Sequence, residues 1–91
     1  MFDRQKFSSV VRDSGLTKRE VAKVLGVSHA TVYGWLTNRE PGQDHTLRFV
    51  NKAIDALRAA VVRGVLPLSR GLPSAERARK VEIMARAVLD L

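Results

Sequence analysis

An all-α fold of five helices is the reading on which three features of the chain converge. Apolar residues return at intervals of three and four over most of its length, which places them on one face of a helix. Most of these runs open on a residue able to cap a helix and close on glycine, proline or a polar loop. No stretch of useful length alternates apolar with polar residues, so a half-buried strand has no sequence to form from.

The first helix is predicted over residues 3–13, where Phe7, Val10 and Val11 share a face, Asp3 supplies a cap and Gly15 can close the end in a left-handed conformation. Thr17 opens the second. In Thr17-Lys18-Arg19-Glu20 the threonine oxygen can accept from the Glu20 amide while the Glu20 carboxylate reaches back to Thr17, a capping box. This helix runs to Leu25 and stops at Gly26. Ser28 caps a third helix that reaches Leu36 or Thr37, and Asn38 to Asp44 forms a polar loop with a Pro-Gly turn. The fourth helix is expected from about Thr46 to Arg63, its stripe made by Leu47, Val50, Ile54, Leu57 and Val61. Gly64 to Pro73 is a connection rich in glycine, proline and leucine. Ser74 is expected to cap a fifth helix that ends near Asp90, lined on one side by Ala78, Val81, Met84, Ala85, Val88 and Leu91.

Composition narrows the functional classes. A chain of 91 residues has room for one small domain, and 45% hydrophobic with 27% charged residues is an ordinary globular balance. Sixteen Lys and Arg against nine Asp and Glu leave a net charge of +7, which favours a polyanionic partner such as nucleic acid or an anionic membrane surface. With no cysteine there is no disulfide, thiolate zinc site or thiol nucleophile. His29 and His45 have no carboxylate at metal-ligand spacing and no glycine loop is arranged to cradle a phosphate, so neither a catalytic nor a metal site is expected, and no cofactor. No segment approaches the roughly 20 apolar residues of a membrane span, and a cytoplasmic protein without a small-molecule ligand is the expectation.

The informative stretch is Lys18 to Thr37. Val21 and Leu25 face inward from the second helix, Val32 and Trp35 from the third, and Val27 fills the corner. Ala22 is small where the two helices must approach, and Gly26 sits in the turn, where a positive φ is costly for residues with a Cβ. A plain helical hairpin would share the periodicity without needing Ala22, Gly26 and Ser28 together. Two short helices crossing steeply through a tight turn need all three.

Val21-Ala22-Lys23-Val24-Leu25-Gly26-Val27-Ser28, followed by Thr31-Val32 and Trp35, resembles the phage repressor/Cro-like (XRE-type) helix-turn-helix family. The likeness is specific over residues 17–37 and extends in helix order over 3–63, while residues 64–91 carry no motif of that family. It implies a lambda-repressor-like, all-α DNA-binding domain, with residues 1–63 as the helix-turn-helix unit and 64–91 as a connection and C-terminal dimerisation helix of the same domain. It also implies a sequence-specific regulator of double-stranded DNA, expected to be a homodimeric autorepressor of phage or mobile-element type on a two-fold operator. The third helix would enter the major groove by its N-terminal end. Base contacts are then expected from Ser28, His29, Ala30, Tyr33, Gly34 and Thr37, and phosphate contacts from Lys18, Arg19, Lys23, Asn38 and Arg39. Gly34 departs from the longer polar residue common in that family. Leu36 departs from a charged one and is expected to pack against the fourth helix.

Dimerisation is expected from Leu66, Leu68 and Leu72 in the connection and from Val81, Met84, Ala85 and Val88 in the fifth helix. The competing reading is that this stripe folds back to complete the chain's own core. Two other functional classes fit the same motif: an antitoxin whose tail masks a toxin while the motif represses its own operon, and an architectural or packaging protein that bends DNA at adjacent sites.

Overall fold

Five helices and no strand make up the computed structural model, which describes residues 1–91. They are α1 (Arg4–Ser14), α2 (Lys18–Leu25), α3 (His29–Thr37), α4 (Asp44–Val62) and α5 (Ser74–Leu89).

Local chemistry sets the first three helices. The Asp3 carboxylate accepts from the Lys6 amide, and Gly15 closes α1 at φ 69°, in the left-handed region. A side chain at Gly15 would also strike the connection, since an added Cβ would lie 2.6 Å from Cβ of Pro67. The capping box at α2 is complete: Glu20 N–H donates to Thr17 Oγ1 at 3.1 Å and Thr17 N–H donates to Glu20 Oε1 at 2.9 Å. Gly26 ends α2 at φ 70°. Ser28 Oγ then accepts from the Thr31 amide at 3.1 Å and starts α3.

The later boundaries differ from the sequence expectation. α4 begins at Asp44, two residues before Thr46, with Gln43 at the cap and no side chain bonded there. Asp44 in that first turn places a carboxylate where the helix dipole favours negative charge. Ser74 does not cap α5. Pro73 occupies that position, leaving Ser74 as the first helical residue with no cap hydrogen bond.

One core holds the five helices together. Phe7 of α1 meets the Trp35 ring of α3 edge-on at 6.2 Å between centroids, and Phe2 packs beside Phe7 at 5.6 Å. Val50, Ala53, Ile54 and Leu57 bury the inner face of α4, which packs on α1. α2 is buried at Val21, Ala22, Val24 and Leu25, half of its eight residues, so it needs neighbours on several sides. α3 covers one side and α5 packs closely against another.

The tail meets that demand. Leu66, Val81 and Val88 retain 2%, 2% and 4% of their surface and belong to the same core as Phe7 and Val21. Within the single chain this part of the stripe completes the core. Leu68 and Met84 are partly buried against that core, and Leu72 and Ala85 are also half-buried. Ala78 and Leu91, expected on the inner stripe of α5, are exposed. Leu36 is partly buried against the core and borders a shallow groove with Arg4, Gln5, Ser8 and Ser9 of α1.

A salt bridge fastens α5 to the start of α2. Arg77 donates from Nε to Glu20 Oε2 at 2.7 Å and from Nη2 to Glu20 Oε1 at 2.8 Å, and Nη2 also reaches the Gly15 carbonyl at 3.2 Å. These bonds hold the Glu20 carboxyl below the usual range; partial burial opposes them and the Thr17 amide assists. The same pairing raises the Arg77 guanidinium above its ordinary value.

A carboxylate whose folded-state pKa is depressed contributes stability above its unfolded value, about 4.3 for glutamate, and loses that contribution as pH falls through the folded value. Glu20→Gln is therefore expected to cost about 1–2 kcal/mol at neutral pH, through loss of the capping box and the bidentate pair. The gap to the parent should shrink toward about pH 3. Urea melts at both values test this, and a gap that does not change with pH would contradict it.

Candidate nucleic-acid interface

α3 is a helix with one side locked and the other bare. Val32 and Trp35 face the core at 0% and 5% exposure, while His29, Ala30, Tyr33 and Thr37 are exposed. Positions 29, 30, 33 and 37 are separated by one, three and four residues, so they share the outer face of a helix with 3.6 residues per turn. That face is free of carboxylates, lysines and arginines. Its polar groups are an imidazole, a phenol and a hydroxyl, and the methyl of Ala30 offers a small apolar contact.

Two hydroxyls expected there are already engaged. Ser28 Oγ caps α3 and lies 2.7 Å from Thr31 Oγ1. Thr37 Oγ1 donates back to the Tyr33 carbonyl at 3.0 Å, a bond that leaves the oxygen available as an acceptor. Tyr33 remains the largest free group, with 49% of its surface exposed.

Gly34 is placed differently from the sequence reading. It is half-buried, and a Cβ at this position would come within 3.1 Å of Cδ of Arg39. The Arg39 stem folds over it, so Gly34 serves as the floor under an arginine. The Arg39 amide donates to the Gly34 carbonyl at 2.8 Å and fixes this return of the chain.

Exposed cations lie on the segments that precede and follow α3. Lys18 Nζ lies 5.2 Å from the centre of the Tyr33 ring, a cation–π contact joining the first turn of α2 to the outer face of α3. Arg19 and Lys23 are exposed one turn apart on α2, and Asn38 and Arg39 are exposed beyond the end of α3. Arg19, Lys23 and Arg39 form no ion pair within the chain.

A residue absent from the sequence-based assignment completes the site. Arg4 of α1 donates from Nε to the Trp35 carbonyl at 3.1 Å and from Nη2 to the Arg39 carbonyl at 2.9 Å. Carbonyls in the last turn of a helix lack intrahelical partners and carry the negative end of its dipole, so a guanidinium there satisfies both needs. The available signal was indirect. α3 ends without a glycine cap and without a basic residue in its last turn, which implies a donor from elsewhere.

A frame of this kind, two short capped helices around a glycine turn with the second one bare on its outer side, is a helix-turn-helix. Residues 7–47 match a homeodomain-like domain. The matched segment takes in most of α1, all of α2 and α3, and the loop and first turn of α4. The body of α4, the connection and α5 lie outside it. No curated protein and no solved structure matches the chain. The match supports a helix-turn-helix that binds DNA and is typical of proteins that are not enzymes; it extends neither to the phage-repressor family nor to a regulatory role. No helix is long and apolar enough to cross a membrane.

Loss of the guanidinium in Arg4→Ala is expected to destabilise the homeodomain-like segment by about 1–2 kcal/mol, since two carbonyls lose a charged donor. Amide exchange should accelerate in the last turn of α3 more than in α2. Equal acceleration in both helices would contradict a clamp specific to α3.

Proposed function

We propose that this protein is a sequence-specific regulator of transcription, a homodimeric autorepressor of phage or mobile-element type that binds a two-fold site on double-stranded DNA. The observation that carries the reading is the division of labour at α3. An uncharged, exposed face of His29, Ala30, Tyr33 and Thr37 on α3 is accompanied by Lys18 beside the Tyr33 ring, Arg39 across Gly34, and exposed Arg19 and Lys23 on the neighbouring α2. Base edges are read by hydrogen bonds and apolar contacts, whereas phosphates are held by cations, and this pairing of an uncharged face with unpaired cations supports the reading.

In this reading α3 enters the major groove by its N-terminal end, with His29 and Tyr33 reaching base edges and Ala30 touching a thymine methyl. The rim cations and Asn38 hold the flanking phosphates. The lambda-repressor-like arrangement and the phage-repressor kinship belong to the same proposal, supported by the motif Val21 to Trp35. For the dimer, Leu68, Leu72, Met84 and Ala85 are the remaining candidates from the tail, joined by Ile83, which is 58% exposed on α5. Docking of α5 on α2 favours this regulator over an antitoxin, whose toxin-binding tail would be free to wrap a partner.

Footprinting of the DNA upstream of the protein's own gene is the direct test. A protected two-fold site is expected, and absence of protection at any salt concentration would sink the proposal. Tyr33→Ala should weaken binding to that site more than to random duplex. Arg39→Ala should weaken both and reduce the slope of log affinity against log salt by about one. Equal losses on both DNAs from Tyr33→Ala would remove it from base recognition. Sedimentation at micromolar concentration tests the dimer, and a monomer on operator DNA would refute it.

A further inference from the structure

α2 stands between two different surfaces. On one flank its first turn reaches α3, where Lys18 lies over Tyr33. On the other, Glu20 is locked to Arg77 of α5. Between these flanks rises the exposed ridge of Arg19 and Lys23, so the recognition helix, the basic ridge and α5 follow one another across a continuous surface. Beyond the ridge lies a groove of about 340 Å³, lined by Arg19, Glu20 and Lys23 from α2 and by Ser74, Arg77, Ala78 and the buried Val81 from α5. Since one water occupies about 30 Å³ in the liquid, this volume takes a phosphate together with its hydration.

The charge balance of the groove is positive. Glu20 supplies the one carboxylate among those seven residues, and Arg77 cancels it through bonds of 2.7 and 2.8 Å. Arg19 and Lys23 remain without internal partners. The opposite wall is low: Ser74 and Ala78 are small and exposed, so a strand of nucleic acid could approach the backbone of α5 closely. Ser74 adds a hydroxyl that caps nothing.

We propose that the groove between α2 and α5 is a second DNA contact, which takes a backbone phosphate of the strand leaving the recognition helix and so extends the protein's footprint beyond the helix-turn-helix. Arg19 and Lys23 hold the phosphate from one side, Ser74 donates from the other, and Arg77 keeps Glu20 from repelling it. The contact reads no bases and adds affinity that depends on salt. This inference rests on the DNA-binding reading above.

Charge substitution at Ala78 tests it, because this side chain is exposed and forms no part of the core. Ala78→Arg should tighten binding to a random-sequence duplex several-fold and steepen the salt slope by about one, while Ala78→Glu should weaken binding by roughly tenfold and flatten the slope. The same substitutions at Ala59, exposed on α4 and outside the groove, change net charge equally and provide the comparison. Effects at Ala78 that clearly exceed those at Ala59 are the expected result. Equal effects at the two positions, with the parent binding duplex normally, would overturn the groove alone. A parent that fails to bind any duplex at low salt would overturn the DNA-binding reading and the groove with it.

Discussion

A helix of nine residues is too short to persist in water alone, because nucleation is costly and few hydrogen bonds repay it. α3 has a further handicap in carrying a glycine near its middle, worth roughly 1 kcal/mol against alanine. The helix-turn-helix face nevertheless depends on α3 being helical while half of it stays uncovered. The inner half therefore has to supply the whole of its stability. Val32 and Trp35 are buried, Ser28 closes the first turn, and Arg4 closes the last. With both ends tied and one side packed, the other side is free to stay bare and unstrained.

Two arginines distant in sequence from the motif perform related tasks at opposite ends of it. Arg4 serves carbonyls at the C-terminal end of α3, and Arg77 serves a carboxylate at the N-terminal end of α2. Each uses the planar, forked donor geometry of guanidinium to satisfy two acceptors at once, which an ammonium on a flexible stem does less well. Both are thereby withdrawn from the pool of free cations. Of the sixteen basic residues, the ones facing a polyanion are better identified by their lack of an internal partner than by their position in the chain.

α5 gives the domain more than cover. By burying Val81 and Val88 it completes the environment of α2, and by clamping Glu20 it converts a capping carboxylate into a neutralised element of a basic surface. Its outer side carries Ile83 and several charges, a weaker apolar surface than the sequence stripe suggested. Stability of the helix-turn-helix and availability of the tail for a second copy thus draw on the same residues, and the core takes the larger share.

The helices themselves were legible from the sequence, because caps, glycine stops and apolar spacing act over a few residues and need no distant partner. Asp3, the Thr17–Glu20 box, Gly15, Gly26 and Ser28 are all local chemistry, and so is the outward side of α3, which follows once Val32 and Trp35 are taken as its inner residues. What tertiary structure alone decided is which of two surfaces each ambiguous residue would join. An apolar stripe on α5 reads the same whether it meets another copy or folds back on α2, and only the packing of α5 against α2 shows where it goes in the single chain. An arginine in the first turn of α1 looks like a solvated charge until α3 ends beside it. Gly34 looks like an open position until Arg39 lies across it. Local rules place side chains on faces, and only the packing of one helix on another determines what each face meets.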